Sequence, residues 1–130
     1  MTVRRDVLVV EDDADLSALM EMVLRDAGFE VRRAGDGLDA LARVEEAMPG
    51  VILLDMRMPR MNGWEFAQEY RRRWSERAPI LVITAAENAR ARAAEVEADG
   101  FLEKPFDLDD VIRAVSRHVR PAPAQPAPGI

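Results

Sequence analysis

The sequence lacks cysteine altogether and contains a single histidine, His118. The absence of cysteine excludes disulfides, thiolate zinc sites and cysteine nucleophiles, and it leaves the redox character of the compartment open. One histidine cannot supply the several imidazole ligands of a typical catalytic zinc site. The residue inventory therefore argues against a zinc enzyme, and any chemistry must come from other side chains.

Long apolar runs and an excess of basic residues are also missing. The longest wholly apolar stretches, such as 7–10 and 51–54, have four residues, whereas a membrane-spanning helix needs about 20. Arg4 and Arg5 are followed by acidic residues rather than by a signal-like apolar segment. Eighteen basic and 24 acidic side chains give a net charge of −6, which repels polyanions. We therefore expect a cytoplasmic protein that binds neither membranes nor nucleic acid.

The length and composition predict one globular domain. The chain has 130 residues, of which 48% are hydrophobic and 32% charged, enough for one sizeable core. Half of the eight prolines lie in the last ten residues. We expect a domain over residues 1–120 and a flexible Pro/Ala-rich tail over 121–130, which is either a linker to a further domain or an inert end.

Apolar patterns predict alternating strands and helices. Continuous runs at 7–10, 51–54 and 80–83 are typical of parallel strands buried on both faces, and 30–34 and 101–103 are weaker candidates. Between them, apolar residues follow helical spacing in the segments 16–27, 38–48, 66–74 and 108–119. This alternation predicts an α/β fold, a doubly wound five-stranded parallel sheet with helices on both faces.

The segment 88–98 predicts a weaker helix than the others. It contains five alanines, but Val96 is its one large apolar residue. Alanine favours the helix without burying much surface. We expect this helix to be the least anchored of the fold.

Charged and hydroxyl side chains follow the predicted strands. Ligand sites of open α/β sheets lie at the carboxyl ends of the strands, where this sequence places Glu11, Asp12, Asp55, Thr84 and Lys104. Two like charges about 5 Å apart repel by roughly 3 kcal/mol at an effective dielectric near 20. Three converging carboxylates therefore require a cation, and their oxygen ligands suit Mg2+ or Mn2+, with Lys104 supplying further positive charge.

A metal-loaded carboxylate pocket favours phosphoryl chemistry. Without a metal the pocket would repel a phosphate, which argues against a flavin-phosphate site of the kind built on Gly-rich loops. With a metal, an aspartate at a strand end can act as nucleophile toward phosphorus, while the metal and Lys104 stabilise the equatorial oxygens. Asp55 is the candidate nucleophile.

Four segments together resemble the receiver domains of two-component response regulators. They are Val-Val-Glu-Asp-Asp at 9–13, Leu-Asp-Met-Arg-Met-Pro-Arg-Met-Asn-Gly at 54–63, Val-Ile-Thr-Ala-Ala at 82–86 and Gly-Phe-Leu-Glu-Lys-Pro-Phe at 100–106. Each alone is a weak signal, but the four in this order are specific, and the resemblance extends from about residue 6 to 120. It implies the CheY-like, flavodoxin-like arrangement of the sheet.

The resemblance also implies a role for each residue of the pocket. Asp55 matches the phosphoacceptor and Asp12 a direct metal ligand. Glu11 matches the acidic neighbour that reaches the metal through water, and Arg57 the residue whose backbone carbonyl completes the ligands. The implied donor is a phosphohistidine on a sensor histidine kinase or on a histidine phosphotransfer protein.

A second group of matching residues implies a conformational switch. Thr84 matches the hydroxyl that closes on the phosphoryl group, and Phe101 the aromatic ring that swings inward with it. Lys104 matches the family's cation, and its bond to Pro105 one usually found cis. Arg57 and Ala86 occupy variable positions that in the family tune the lifetime of the phosphoryl group.

Two features depart from, or add to, the family pattern. Thr84 and Lys104 are 20 positions apart, about two fewer than expected, which shortens the alanine-rich helix and puts the usual dimerisation mode in doubt. Only twelve residues follow His118, too few for a helix-turn-helix domain. We therefore expect output through protein contacts, with phosphotransfer in place of enzymatic turnover.

Other interpretations of the same residues stay open. A Mg2+-dependent phosphohydrolase of the haloacid-dehalogenase type would use Asp55 as nucleophile, but it wants a second aspartate where Arg57 stands. An interaction module independent of phosphorylation would keep only the fold. Asp13 is better explained as a helix N-cap, and His118 as a surface residue near a helix end. The three arginines 71–73 are explained by a helix C-terminus in the same way.

Overall fold

Strands and helices alternate along the chain in the computed structural model, which describes residues 5–85 and 88–119. The strands are β1 (Asp6–Val10), β2 (Glu30–Ala34), β3 (Val51–Asp55), β4 (Ile80–Ala85) and β5 (Gly100–Lys104). The helices are α1 (Ala14–Asp26), α2 (Gly37–Glu46), α3 (Gly63–Arg73), α4 (Ala89–Glu95) and α5 (Leu108–His118). The predicted elements are confirmed, while the predicted tail and Ala86 lie outside the described residues.

The five strands form one parallel sheet in the order β2-β1-β3-β4-β5. Every residue of β1 and β3 is buried, as their continuous apolar runs predict. Successive side chains of β1 point to opposite faces, so Leu8 and Val10 enter one core cluster while Val7 and Val9 enter another. The doubly wound α/β fold is confirmed.

Helices cover both faces of the sheet. Buried residues of α2, α3 and α4 pack in the cluster that contains Leu8, and those of α1 and α5 pack in the cluster that contains Val7. Two side chains, Phe66 and Tyr70 of α3, stack with ring centroids 5.3 Å apart. This arrangement leaves the carboxyl ends of the strands open as one edge.

Helix boundaries follow capping chemistry. Asp13 is the N-cap of α1 and accepts from the backbone N–H groups of Asp15 and Leu16, which confirms its structural role. The predicted helix over 38–48 is too long at its end, because α2 stops at Glu46 and Ala47 is extended. Pro49 disfavours helical backbone in the residue before it and cannot itself continue the helix.

The alanine-rich helix is the shortest of the described helices. It has seven residues, and its buried side chains are Ala89 and Ala93, with Val96 buried at its C-cap. Its small buried surface agrees with the expectation from the sequence.

An ion pair joins three elements at the amino edge of the sheet. Asp6 of β1 is buried and accepts from Arg32 Nη2 at 3.0 Å. Arg32 also donates to the backbone carbonyls of Arg43 and Ala47 at the end of α2. His118 lies in the last turn of α5, as predicted, and is half-buried against Gly100, where a Cβ would lie 3.4 Å from its imidazole ring. Within the described residues, no helix combines the length and apolarity needed to cross a membrane.

Candidate functional site

Three carboxylates converge at the carboxyl edge of the sheet. Glu11 follows β1, Asp12 comes next, and Asp55 is the last residue of β3. One oxygen from each lies within 4.8 Å of the others. Glu11 and Asp55 are buried, whereas Asp12 is exposed. The neighbouring parallel strands β1 and β3 bring together residues 44 positions apart, as the sequence predicts.

Lys104 supplies the positive charge of this cluster. It ends β5, and its Nζ donates to Glu11 Oε1 at 2.8 Å and lies 3.9 Å from Asp55 Oδ2. Burial works to lower the pKa of Lys104, but the hydrogen bond to Glu11 and the charges of Asp55, Glu11 and Asp12 outweigh burial and raise the pKa above its ordinary value. The ammonium group is therefore held in its charged form.

Asp55 is held in an environment that disfavours its charge. Burial, a hydrogen bond shared with Glu11 and the charge of Glu11 raise the pKa of Asp55 to about 8. The charge of Lys104 and the backbone N–H of Arg57, which donates to Asp55 Oδ1 at 3.3 Å, act in the opposite direction. One ammonium group does not neutralise two buried carboxyl groups, so the cluster needs a further cation to ionise fully.

The chemistry of the donors fits a hard divalent cation. Every candidate side-chain ligand is a carboxylate oxygen, and no described sulfur or imidazole ligand joins the cluster. Asp12 and Arg57 also line a cavity of about 540 Å³, together with Met56, Met58, Asn62 and Trp64. Of the three carboxylates, Asp12 is the one that lines this cavity, so the cavity and the cluster meet at Asp12. A larger cavity of about 680 Å³, near Tyr70 and Pro79, contains none of the predicted site residues.

The remaining predicted residues lie around the cluster. Thr84 is buried near the end of β4, inside the strand rather than after it. Its Cα neighbour in β5 is Glu103, one residue before Lys104. Phe101 points outward with 37% of its surface exposed, and the Arg90 guanidinium lies 5.8 Å from its ring centroid. The Lys104–Pro105 peptide bond is cis.

Sequence reasoning missed several contacts around the site. Trp64 Nε1 donates to Glu95 Oε1 at 3.2 Å and so links the cavity wall to α4. Asp36 accepts from Arg60 Nε at 2.6 Å, which joins two loops. No sequence motif predicts these two hydrogen bonds, because the residues that form each bond are far apart in the sequence. The composition itself singles out one site residue: Lys104 is the only lysine of the sequence, while the other 17 basic residues are arginine.

Comparison with known proteins gives one consistent family. The model of the response regulator receiver domain matches residues 7–116. The DNA-binding response regulator MtrA of Mycobacterium tuberculosis is 34% identical over 128 residues, which cover 97% of this chain and 55% of that protein. The chain thus spans about half the length of this relative.

Solved structures give the same result. The chemotaxis response regulator CheY4 of Vibrio cholerae superposes with a TM-score of 0.79 at 34% identity, covering 88% of this chain and 98% of that one. NtrX of Brucella abortus gives a TM-score of 0.78 at 31% identity, covering 87% of this chain and 26% of that one. The similarity therefore includes both the fold and the sequence.

Proposed function

The chain belongs to the response regulator receiver domain family, and from that premise we propose that it accepts a phosphoryl group on Asp55 with the help of Mg2+ or Mn2+. The observation that carries the proposal is the cluster itself: three carboxylate oxygens within 4.8 Å, with Lys104 beside two of them. Such a group is unfavourable without a cation and suited to phosphoryl chemistry with one.

Different residues of the chain would hold the cation and the phosphoryl group. Asp12 and Asp55 would bind the metal directly, Glu11 through water, and Arg57 through its backbone carbonyl. When bound, the metal neutralises the carboxylates and stabilises charge on the phosphoryl oxygens. Lys104, hydrogen-bonded to Glu11, offers its ammonium group to the same oxygens.

The transfer is a displacement at phosphorus. A carboxylate oxygen of Asp55 forms a bond to phosphorus while the bond between phosphorus and the donor imidazole nitrogen breaks, and the electron pair remains on that nitrogen. The donor is a phosphohistidine of a sensor histidine kinase or of a histidine phosphotransfer protein. Asp55 must be ionised to attack, and a bound cation lowers its raised pKa.

The acyl phosphate then shifts an existing equilibrium. It adds about two negative charges beside Lys104. The buried Thr84, one residue after Ile83, the register partner of Asp55, would close on the phosphoryl group through its hydroxyl. Phe101, which is outward here, would turn inward as Thr84 moves. The output is a changed face around Phe101, α4 and α5 that a cytoplasmic protein partner reads.

Intact-mass measurement tests the proposal. Wild type and Asp55→Asn are incubated with phosphoramidate, with Mg2+ or with EDTA. We expect the mass of one phosphoryl group only in the wild type and only with Mg2+. Turnover of phosphate esters without a stable phosphoprotein would favour a phosphohydrolase. No mass gain by either protein would leave only an interaction module, in which Asp55→Ala binds partners unchanged.

A further inference from the structure

The loop between β3 and α3 is tied to the start of α2 by contacts that involve none of the three clustered carboxylates. This loop, residues 56–62, carries Arg57, whose carbonyl is the proposed third direct protein ligand, beside Asp12 and Asp55. Its ends are closed tightly, because the Gly63 N–H donates to the Met56 carbonyl at 3.0 Å and a Cβ at Gly63 would lie 2.7 Å from Met56 Sδ. Between these ends, the loop needs another restraint to hold one shape.

That restraint comes from Asp36 and Gly37 at the start of α2. Asp36 Oδ2 accepts from Arg60 Nε at 2.6 Å and from Nη2 at 2.5 Å. The adjacent Gly37 N–H donates to the Met61 carbonyl at 2.9 Å. A Cβ at Gly37 would lie 2.5 Å from Met61 Cγ, so only glycine permits this approach. We call these four residues, Asp36, Gly37, Arg60 and Met61, the strap.

The strap holds an unfavourable backbone conformation in place. Arg60 has φ +62°, in the left-handed region that non-glycine residues rarely adopt. Its side chain is 64% exposed, yet its guanidinium bonds a carboxylate that is only 7% exposed. The other oxygen of that carboxylate accepts from the Asp39 N–H at 2.9 Å as the N-cap of α2. Both oxygens of Asp36 are therefore used, one for the helix and one for the loop.

We propose that Asp36 and Arg60 are positioning residues that fix the 56–62 loop so that the Arg57 carbonyl is presented to the divalent cation. The inference rests on the proposed function, because it concerns the metal of that site. Neither side chain belongs to the carboxylate cluster, and each acts through the loop. Partners of this kind, one step removed from the ligands, commonly set metal affinity.

Titration with Mg2+ alone tests the strap through two variants of opposite charge change. Asp36→Asn keeps a good N-cap but weakens the pairing with Arg60. Arg60→Gly removes the pairing while suiting the positive φ, so it does not threaten the fold. Binding is followed by calorimetry and by the fluorescence of Trp64, which lines the cavity beside Asp12.

We expect both variants to bind Mg2+ about tenfold more weakly than wild type, with no fall in the melting temperature of Arg60→Gly. The control is Asp6→Asn, which weakens another buried Asp–Arg pair at the far edge of the sheet. It should lower stability and leave Mg2+ affinity unchanged.

Unchanged affinity in both strap variants would overturn the proposal. Weaker Mg2+ binding by Asp36→Asn together with tighter Mg2+ binding by Arg60→Gly would also overturn the proposal. Long-range electrostatics alone produces that pattern, because the two substitutions change the net charge in opposite directions. Failure of the wild type to bind Mg2+ would overturn the metal site itself and the strap's role with it, which is a different result from either of the others.

Discussion

At the scale of single residues, the charge balance of the site depends on one ammonium group, that of Lys104, which lies beside the two buried carboxyl groups of Glu11 and Asp55. Lys104 bonds Glu11 and is close to Asp55, and it is the one residue for which the chain uses lysine. A lysine ammonium is a compact point charge, whereas a guanidinium is a planar fork that needs more room. Burial of Asp55, and then its hydrogen bond with Glu11 and the charge of Glu11, outweigh this one ammonium group and raise the pKa of Asp55.

The raised pKa of Asp55 predicts that stability falls as pH rises in metal-free buffer. The folded protein keeps the proton up to about pH 8, but the unfolded chain loses it near the ordinary value of 3.8. Stability contributed by this proton is therefore lost between those pH values. Asp55→Asn should exceed wild type in free energy of unfolding at pH 8 by about 1–4 kcal/mol.

Urea unfolding in EDTA at pH 5 to 8 checks this prediction. The advantage of Asp55→Asn should shrink as the pH is lowered toward 3.8, because the free energy that the unfolded wild type gains by releasing the Asp55 proton then becomes smaller. An advantage that does not change with pH would mean that Asp55 is ionised throughout.

Lys104→Met should bind Mg2+ more tightly than wild type at pH 9. At that pH Asp55 is largely ionised, and the raised pKa of Lys104 keeps its ammonium charged in the wild type. The ammonium repels the incoming cation, so its loss should improve affinity about tenfold. Calorimetry measures the change, with Lys104→Arg as the control that keeps the charge. Weaker binding by Lys104→Met would show that the lysine helps to organise the ligands.

At the scale of elements, α4 differs from its neighbours in what it buries. Its buried residues are alanines, whereas α5 buries Val111 and Val115 and α1 buries Met20 and Leu24. Trp64 and Glu95 give it a polar link to the cavity wall. A helix with so little apolar contact opens at low cost in free energy.

Hydrogen exchange should therefore find the α4 amides the least protected of the five helices. We expect exchange in 92–95 at least about tenfold faster than in the middle of α5. Mass spectrometry of peptic fragments measures both segments in the same sample, so α5 serves as the internal control. Equal protection of the two helices would contradict the weak anchoring of α4.

The elements themselves were predictable because their burial leaves little choice of residue. A strand covered on both faces must be apolar throughout, which is why 7–10 and 51–54 stand out. β5 was a weaker prediction, since its burial alternates along an edge strand. The strap was beyond prediction, because Arg60 bonds a residue 24 positions away through a backbone conformation that sequence does not reveal.

At the scale of the whole molecule, charged residues at the two edges of the sheet have opposite effects on stability. The carboxyl edge holds Glu11 and Asp55, whose crowding costs stability in the absence of a cation. The amino edge holds Asp6, which is paired with Arg32 and stabilises the joint of β1, β2 and α2. Strand β1 alone separates Asp6 from Glu11 by about 16 Å.

This separation predicts that Asp6→Asn and Asp55→Asn act independently and with opposite sign. The first should destabilise the metal-free protein at pH 8 and the second should stabilise it. The double variant should show the sum of the two changes within about 0.5 kcal/mol. Urea unfolding of the four proteins measures the cycle. A larger coupling would mean that the sheet transmits strain between its edges.

The location of the site followed from the sequence, because carboxyl ends of parallel strands meet at one edge. The distances within the cluster and the charged state of Lys104 could not be predicted, since they depend on how the side chains pack. Nothing in the sequence decides that Phe101 points outward or that His118 packs on Gly100.

We expect Asp55, and no other carboxylate of the cluster, to become an acyl phosphate. Reduction with borohydride after phosphorylation cleaves the acyl phosphate and converts the aspartate to homoserine, which peptide mass spectrometry locates. We predict homoserine at position 55 in samples that contained both Mg2+ and the donor, and none in samples with EDTA. A reduced residue at position 11 or 12, or no reduced residue at all, would contradict the account.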